Sequence, residues 1–333
     1  MVMTKKVSLI IPNWNGLDFL KVCLPSLLKQ SYQNFGIIIV DNGSTDNSVE
    51  FIKKNYPQIK IYQFRENRGF CQAINAGINL ASGEYIFLLN NDTEVEVNCL
   101  SELVKTANKN TAAGFFATKM IYFDRRDIIN DTGDIFSIYG LAHQRGKEEI
   151  DQGRYDKEEY VFGACAGATL YRKSMLEEIG LLDEDFFAYL EDIDLSFRAQ
   201  LAGYKCLYVP TAIVYHVDGG TSKKVDDLPR YHTLRNSLFV ITKNLPITLI
   251  FLYLPFILLG QVRNFFIGLK HHCLKLILKV YLDYFKELPS LIKKRKEIQK
   301  DRVVSNFYLN SIISKKYPFS AIKSFKEMYG GRK

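Results

Sequence analysis

The sequence predicts an α/β protein with a mostly parallel sheet flanked by helices on both faces, and three observations predict it. Short apolar runs, the length of buried strands, alternate with helix-period segments through the first hundred residues. Polar clusters, mostly acidic, close several of these runs, in IIIVDNGSTDNS, EYIFLLNNDTEV and VYHVDGGTS. No internal repeat, low-complexity tract, GxGxxG or Walker loop points to another architecture.

Strands are expected near residues 7–11, 36–40, 59–63 and 85–89, and helices near 16–30, 46–55, 70–81 and 98–109. Pro25 should kink the first helix, while Gly43, Ser44 and Asp46 supply the turn and cap of the second. From 113 to 160 the pattern weakens and Gly133, Gly140, Gly146 and Gly153 punctuate it, so loops or a hairpin are expected. Glu191 to Leu201 reads as an amphipathic helix with Ile193, Phe197 and Leu201 on one face and Gly203 at its end. Glu191 and Asp192 then occupy its first turn, where the helix dipole favours carboxylates, and Asp194 is expected on its solvated side. Asp183, Glu184 and Asp185 are expected to cap and shape the preceding turn.

Past residue 236 the character changes. Leu245 to Leu259 is nearly all apolar but holds Pro246 and Pro255 and falls short of the ~20 residues that span a bilayer. The stretch from Val262 mixes Phe, Leu and Ile with regularly spaced lysines and ends in the run Lys293 to Lys296, the composition of an interfacial amphipathic helix. A helical domain packed on the remainder is the plainer alternative. The expected division is therefore residues 1–235 (halves 1–110 and 111–235) and a helical, basic, membrane-associating region, 236–333.

Charge follows the same division. Residues 1–220 carry 22 basic and 29 acidic side chains, a net of −7, whereas 221–333 carry 22 and 7, a net of +15. In the C-terminal third the Lys and Arg flank long apolar stretches, without aromatics interleaved with base-reading groups, which favours an anionic membrane surface over nucleic acid. The six cysteines are scattered without a CxxC pair and read as reduced core residues of a cytoplasmic protein. MVMTKKVSLII leads into a strand with no small-residue cleavage site, so no signal peptide is expected.

Six segments, VSLIIPNWNG, VDNGSTDNS, ENRGFCQAINAGI, SGEYIFLLNNDTEV, the block from GACAGATLYRK to KCLYVP, and VYHVDGGTS, resemble the family 2 glycosyltransferases in the family's order. The resemblance covers roughly the first 220 residues. It implies the GT-A fold, a nucleotide-binding half over 1–110 and an acceptor-side half over 111–235. The Asn-Asn-Asp form of one motif and the GACAGATLYRK block are most similar to rhamnosyltransferase-type members, which use a dTDP-sugar.

By this resemblance Asp41 accepts a pyrimidine ring N–H while Asn13, with Pro12 beside it, lines the same pocket; DNGSTD is equally the sequence of an Asx-turn. Asn67, Gly69, Asn75, Asn91 and Asp92 complete the implied nucleotide-sugar site. Asp92 is implied to hold a divalent cation, Mg²⁺ or Mn²⁺, on the donor diphosphate. Many relatives have Asp-x-Asp here and this chain has Asn90-Asn91-Asp92, so the first carboxylate is missing; Glu94 can supply a second ligand because alternate residues of an extended segment share a side. His216 is a ligand in some relatives and otherwise a structural histidine, with Gly219, Gly220 and Thr221 as a segment able to close over the donor. Asp192 is the implied general base and Glu191 its positioning neighbour. Ile74 stands where many relatives carry Arg, with Arg65 or Arg68 as substitutes. Gly163 to Ala168 offers close backbone approach or tight packing, and Arg235-Asn236 a phosphate or headgroup contact.

The expectation is a single-displacement, inverting transfer of one sugar from a dTDP- or UDP-sugar to a saccharide or lipid-linked acceptor at the cytoplasmic face of the membrane. Trp14 is the only Trp, so the Gln-x-x-Arg-Trp motif of processive synthases is absent. A sugar nucleotidyltransferase and a catalytically silent membrane scaffold remain the alternatives, and the oligomeric state is left open.

Overall fold

The computed structural model describes residues 7–217, 219–220, 228–270 and 273–317. The first 110 residues run β1 (Val7–Asn13), α1 (Leu17–Leu28), β2 (Phe35–Asn42), α2 (Ser48–Asn55), β3 (Lys60–Phe64), α3 (Phe70–Asn79), β4 (Tyr85–Leu89), β5 (Thr93–Val95) and α4 (Cys99–Lys109). The expected strands and helices stand within about two residues of these bounds, and α1 continues through Pro25 as one helix. The chain continues with β6 (Ala113–Tyr122), β7 (Ile129–Asp131), β8 (Asp134–Phe136), β9 (Ala142–Gln144), β10 (Glu159–Val161), β11 (Ala168–Arg172), α5 (Lys173–Ile179), α6 (Glu191–Leu201) and β12 (Lys205–His216). Four helices end the described chain: α7 (Leu228–Asn244), α8 (Ile247–Lys270), α9 (Leu274–Lys300) and α10 (Asn306–Ile312).

One sheet dominates, in the order β10-β12-β6-β11-β4-β1-β2-β3, with β5 on β12 and β7 on β6. β4, β1, β2 and β3 are mutually parallel, as are β6 and β12, while β11 is an antiparallel strand between the two groups. Strand alternation feeds two cores. Ile10, Ile38 and Leu88 face α3 and α6, whereas Leu9, Ile39 and Phe87 face α1 and α4. Both faces are covered, which is why these strands read as continuous apolar runs.

Three expectations are corrected. Residues 113–122 form a buried ten-residue strand, β6, because AGFFATKMIY carries enough apolar bulk for both faces although polar sequence follows it. Asp194 is not solvated: it is 0 % exposed and paired with Lys243 and Arg198, so α6 is enclosed nearly all round. The apolar segment after Pro246 is not short, since α8 extends over 24 residues and Ile247–Phe266 is long and apolar enough, by length and composition, to cross a membrane. The C-terminal helices share the first core through Phe239, Val240, Leu249, Tyr253, Ile257 and Leu291.

Candidate active site

The site forms where β1, β2 and β4 deliver their carboxyl ends to one rim, as parallel strands do. Asn13 and Asp41 stand opposite each other in the β1–β2 register. The Asn13 amide donates to Asp41 Oδ1 (3.0 Å) and Ser48 Oγ (2.9 Å), and its carbonyl accepts from Asn91 Nδ2 (2.9 Å). Asp41 Oδ2 takes the Ser44 N–H, three residues on, at 3.1 Å, a local side-chain-to-backbone bond of the kind Asp makes at helix starts and turns. Asp46 accepts from the Ser48 and Leu17 N–H groups and so fastens the starts of α2 and α1 together. Gly16 permits the approach, because a Cβ there would sit 2.1 Å from Asn91 Nδ2 and 2.6 Å from Asn13 Oδ1.

The rest of the expected donor pocket divides. Asn67 Oδ1 accepts from Asn42 Nδ2 (3.0 Å) and the Gly69 N–H (2.9 Å), so both residues shape the loop before α3. Pro12 is half-buried on β1, opposite Val40 of β2. Arg68 lies over the Phe64 ring at 5.0 Å. Asn75 instead faces the chain after α5: its amide donates to the Leu182 carbonyl and Glu184, and its carbonyl accepts from the Leu182 N–H.

Asp92 and His216, 124 residues apart in sequence, meet across the β5–β12 pairing, with His216 Nε2 3.3 Å from Asp92 Oδ1. Asp92 Oδ2 accepts the Gly220 N–H at 3.2 Å, and His216 Nδ1 lies 3.0 Å from Asn130 Oδ1 on β7. The carboxamide oxygen accepts from Nδ1–H and leaves Nε2 aimed at the carboxylate. Burial opposes the charge on Asp92, but the His216 ring and the Gly220 N–H outweigh it and hold the carboxyl below its ordinary range. Glu94 faces elsewhere. It pairs with Tyr215 in the ladder and forms an ion pair with Arg126 at 2.6 Å, because the turn at Asp92 breaks the alternation that would put the two acids on one side. Among the described residues no group of three His, Cys, Asp or Glu side chains is arranged to hold a metal ion. The oxygen and nitrogen of Asp92 and His216, the latter's second nitrogen fixed by Asn130, are nonetheless a donor pair that fits a divalent cation. Thr221 lies outside the described residues.

Glu191 and Asp192 open α6 after Leu190, which takes the left-handed conformation. Asp192 Oδ2 accepts the Ala166 N–H (3.2 Å) and Oδ1 the Ile193 N–H (2.8 Å). The small-residue run thus serves two ends: Gly163 packs on Ser196, and Ala166 holds Asp192. Burial outweighs these N–H bonds and raises the Asp192 carboxyl; burial, then Asp192, raises Glu191 well above its ordinary value. Glu191 Oε2 is buried with no hydrogen-bond partner among the described residues.

Two acids that sequence reasoning missed complete the cluster. Asp131 and Asp134 are 2 % and 4 % exposed, and burial drives both carboxyls up, with Asp192 adding to each. Asn130 and Asp131 are adjacent, so one dipeptide of β7 touches His216 and sits in the field of Asp192. The polar run NDT between apolar Ile129 and the β8 strand was the signal, since polar residues inside a buried strand need partners. Beside them opens a polar cleft of about 500 Å³ lined by His143, Arg145, Lys147, Tyr155 and Glu159.

The sequence model of the family described as glycosyl transferase family 2 matches residues 8–180. An uncharacterized glycosyltransferase of Rickettsia prowazekii is 31 % identical over 204 residues, 58 % of this chain and 58 % of that protein. The poly-beta-1,6-N-acetyl-D-glucosamine synthase of Staphylococcus epidermidis is 28 % identical over 214 residues, 63 % of this chain and 49 % of that one. The chain thus spans about half the length of these curated relatives. Two solved structures share the fold: GalNAc-T7 with UDP, GalNAc and Mn²⁺ (TM-score 0.58, 20 % identity, 73 % of this chain and 48 % of that one) and S. aureus TarS 1–349 in complex with UDP (TM-score 0.54, 16 % identity, 89 % and 90 %). With the family match covering more than half of the 333 residues, and a mixed sheet of GT-A architecture beneath it, this chain belongs to glycosyltransferase family 2.

Proposed function

We propose that this protein transfers a single sugar from a nucleotide diphosphate sugar, a UDP- or dTDP-sugar with dTDP-rhamnose among the donors to test, to a saccharide or lipid-linked acceptor, with inversion. The observation that carries the reading is the joining of the Asp92–His216 pair to the buried acids around Asp192 through Asn130 and Asp131. UDP bound in both structural neighbours supports a pyrimidine donor.

Asp41, oriented by Asn13 and the Ser44 N–H, accepts from the base. Asp92 and His216 are the residues that would hold a divalent cation, which would supply positive charge to the leaving diphosphate. Asp192 accepts the proton of the acceptor hydroxyl; its raised proton affinity makes it a stronger base, and the Ala166 and Ile193 N–H groups keep its oxygens aimed. The acceptor hydroxyl attacks the anomeric carbon from the side opposite the diphosphate, so one displacement inverts it. Glu191, buried beside Asp192, positions the loop or the acceptor.

The exposed apolar faces of the C-terminal helices support a reading of this chemistry at a membrane. On α9 Leu274, Leu278, Leu282, Phe285, Pro289 and Ile292 recur at intervals of three and four on the exposed face, bordered by Lys275, Lys279, Lys286 and Lys293. On α8 Phe251, Leu252, Leu258, Leu259 and Phe266 are exposed too, each by more than half. We assign this surface to the cytoplasmic face of an anionic membrane, with residues 1–235 and the remainder of α7 in the transferase and α8 and α9 as its attachment.

Calorimetry of a panel of UDP-, dTDP- and GDP-sugars with Mn²⁺ or Mg²⁺, and again with chelator, tests the reading. Cation-dependent preference for one pyrimidine donor is expected. Binding to none would make the silent scaffold the better reading, and turnover of a nucleoside triphosphate with a sugar phosphate would favour the nucleotidyltransferase.

A further inference from the structure

The chain from Asp183 to Leu190 leads straight into Glu191 and Asp192, and it holds a costly conformation. Phe187 (φ 64°), Tyr189 (φ 71°) and Leu190 (φ 64°) all occupy the left-handed region without being glycine. Each such residue costs on the order of 1 kcal/mol or more, so the loop keeps this shape only if its surroundings over-determine it.

The surroundings come from α7. Asn236 is 0 % exposed, and its amide nitrogen lies within hydrogen-bond distance of three loop carbonyls: Phe186 (3.1 Å), Ala188 (2.9 Å) and Tyr189 (2.6 Å). Its carbonyl accepts from Arg235 Nε (3.0 Å) and Nη2 (2.9 Å), which fixes the amide so that its donors face the loop. Arg235 also donates to the Asp185 carbonyl at 2.6 Å, and the His232 ring stacks on Phe187 at 5.1 Å. From the opposite side the Phe187 carbonyl accepts the Cys71 N–H at 3.1 Å, at the start of the donor-side helix α3.

We propose that Asn236, oriented by Arg235, is a positioning residue for glycosyl transfer: it clamps the strained loop and thereby sets where Glu191 and Asp192 stand relative to the donor. The proposal rests on the reading of Asp192 as the base. Asn236 acts only through the loop, because its carboxamide is occupied by loop carbonyls and Arg235. It also accounts for the Arg235-Asn236 pair without a phosphate or headgroup.

The test is Asn236→Ala, with Asn236→Gln as conservative variant and Arg235→Lys as the milder second perturbation. Backbone hydrogen exchange over 185–192 should accelerate in Asn236→Ala while exchange over β1, β2 and their loops stays at the wild-type rate. The turnover number should fall ~10- to 100-fold, the scale of a displaced reacting group, with donor Kd within threefold of wild type. Asn236→Gln should recover part of the loss, and Arg235→Lys should show the same split to a smaller degree. Unchanged turnover, or turnover and donor affinity falling together, would overturn the proposal. A wild-type protein that transfers no sugar would overturn the reaction assigned to the site; exchange over 185–192 separates that from failure of the clamp, because it needs no turnover.

Discussion

Replacing Leu278, Leu282 and Phe285 together by Gln should release the protein from membranes, and the structure sets the size of the effect. These side chains are 53 %, 62 % and 62 % exposed on one face of α9. Fully burying a Leu or Phe side chain is worth ~1.5 to 3 kcal/mol, so covering a little over half of each gives ~1 to 2 kcal/mol per residue and ~3 to 5 kcal/mol for the three. At ~1.4 kcal/mol per factor of ten, the partition coefficient should fall ~10² to 4 × 10³-fold. Gln retains helix propensity, so the variant tests the apolar face and not the helix. The assay is co-sedimentation with vesicles of neutral lipid alone and with added anionic lipid. Neutralising Lys275, Lys279, Lys286 and Lys293 should weaken binding by ~1 kcal/mol each on anionic vesicles only, and added salt should mimic it. A triple variant that sediments with vesicles as the wild type does would refute the reasoning. Sedimentation of the wild type as a dimer that the triple variant dissolves would assign the face to a second copy instead.

Three further outcomes are expected. Asp192→Asn should lower turnover ~10² to 10⁴-fold while calorimetric donor binding persists, because the amide keeps the shape and loses the proton affinity. Lys243→Met should cost about 3 kcal/mol in thermal unfolding, at the low end for a broken buried pair, since Lys243 bridges Asp183 and Asp194 but Lys294 and Arg198 remain on those carboxylates. His232 is 7 % exposed, and burial, then the Arg235 guanidinium, depresses it to about 4. A depressed histidine contributes stability that is present above its unfolded value near 6.5 and lost as pH falls through 4, so the wild type should lose up to about 3 kcal/mol across that window. His232→Phe should show a shallower fall over the same range, read as melting temperature against pH.

The order of elements through α4, the carboxylates at strand ends and the basic C-terminal third were legible because each is local. A buried parallel strand must be an apolar run, and the period of a helix is written in a dozen consecutive residues. Asp41, Asp92, Asp192 and His216 could be singled out because polar groups at the end of such runs need a reason to be there. Their relations were not legible. That His216 meets Asp92 while Glu94 turns to Arg126 depends on the β5–β12 register and on a turn at Asp92, neither of which neighbouring residues encode. Asp194 reads as a surface acid on its own helix and becomes a core residue only because α7 brings Lys243 to it from 49 positions away. Asn130, Asp131 and Asp134 sit in a segment too short and too polar to stand out, and they matter only once β7 lies on β6 beside α6. Sequence by itself determined which segments become strands, helices and apolar faces, since propensity and burial pattern act over a few residues. Only the tertiary structure decided which charges share a low-dielectric interior, because electrostatic pairing depends on distance through space and on the water that packing removes.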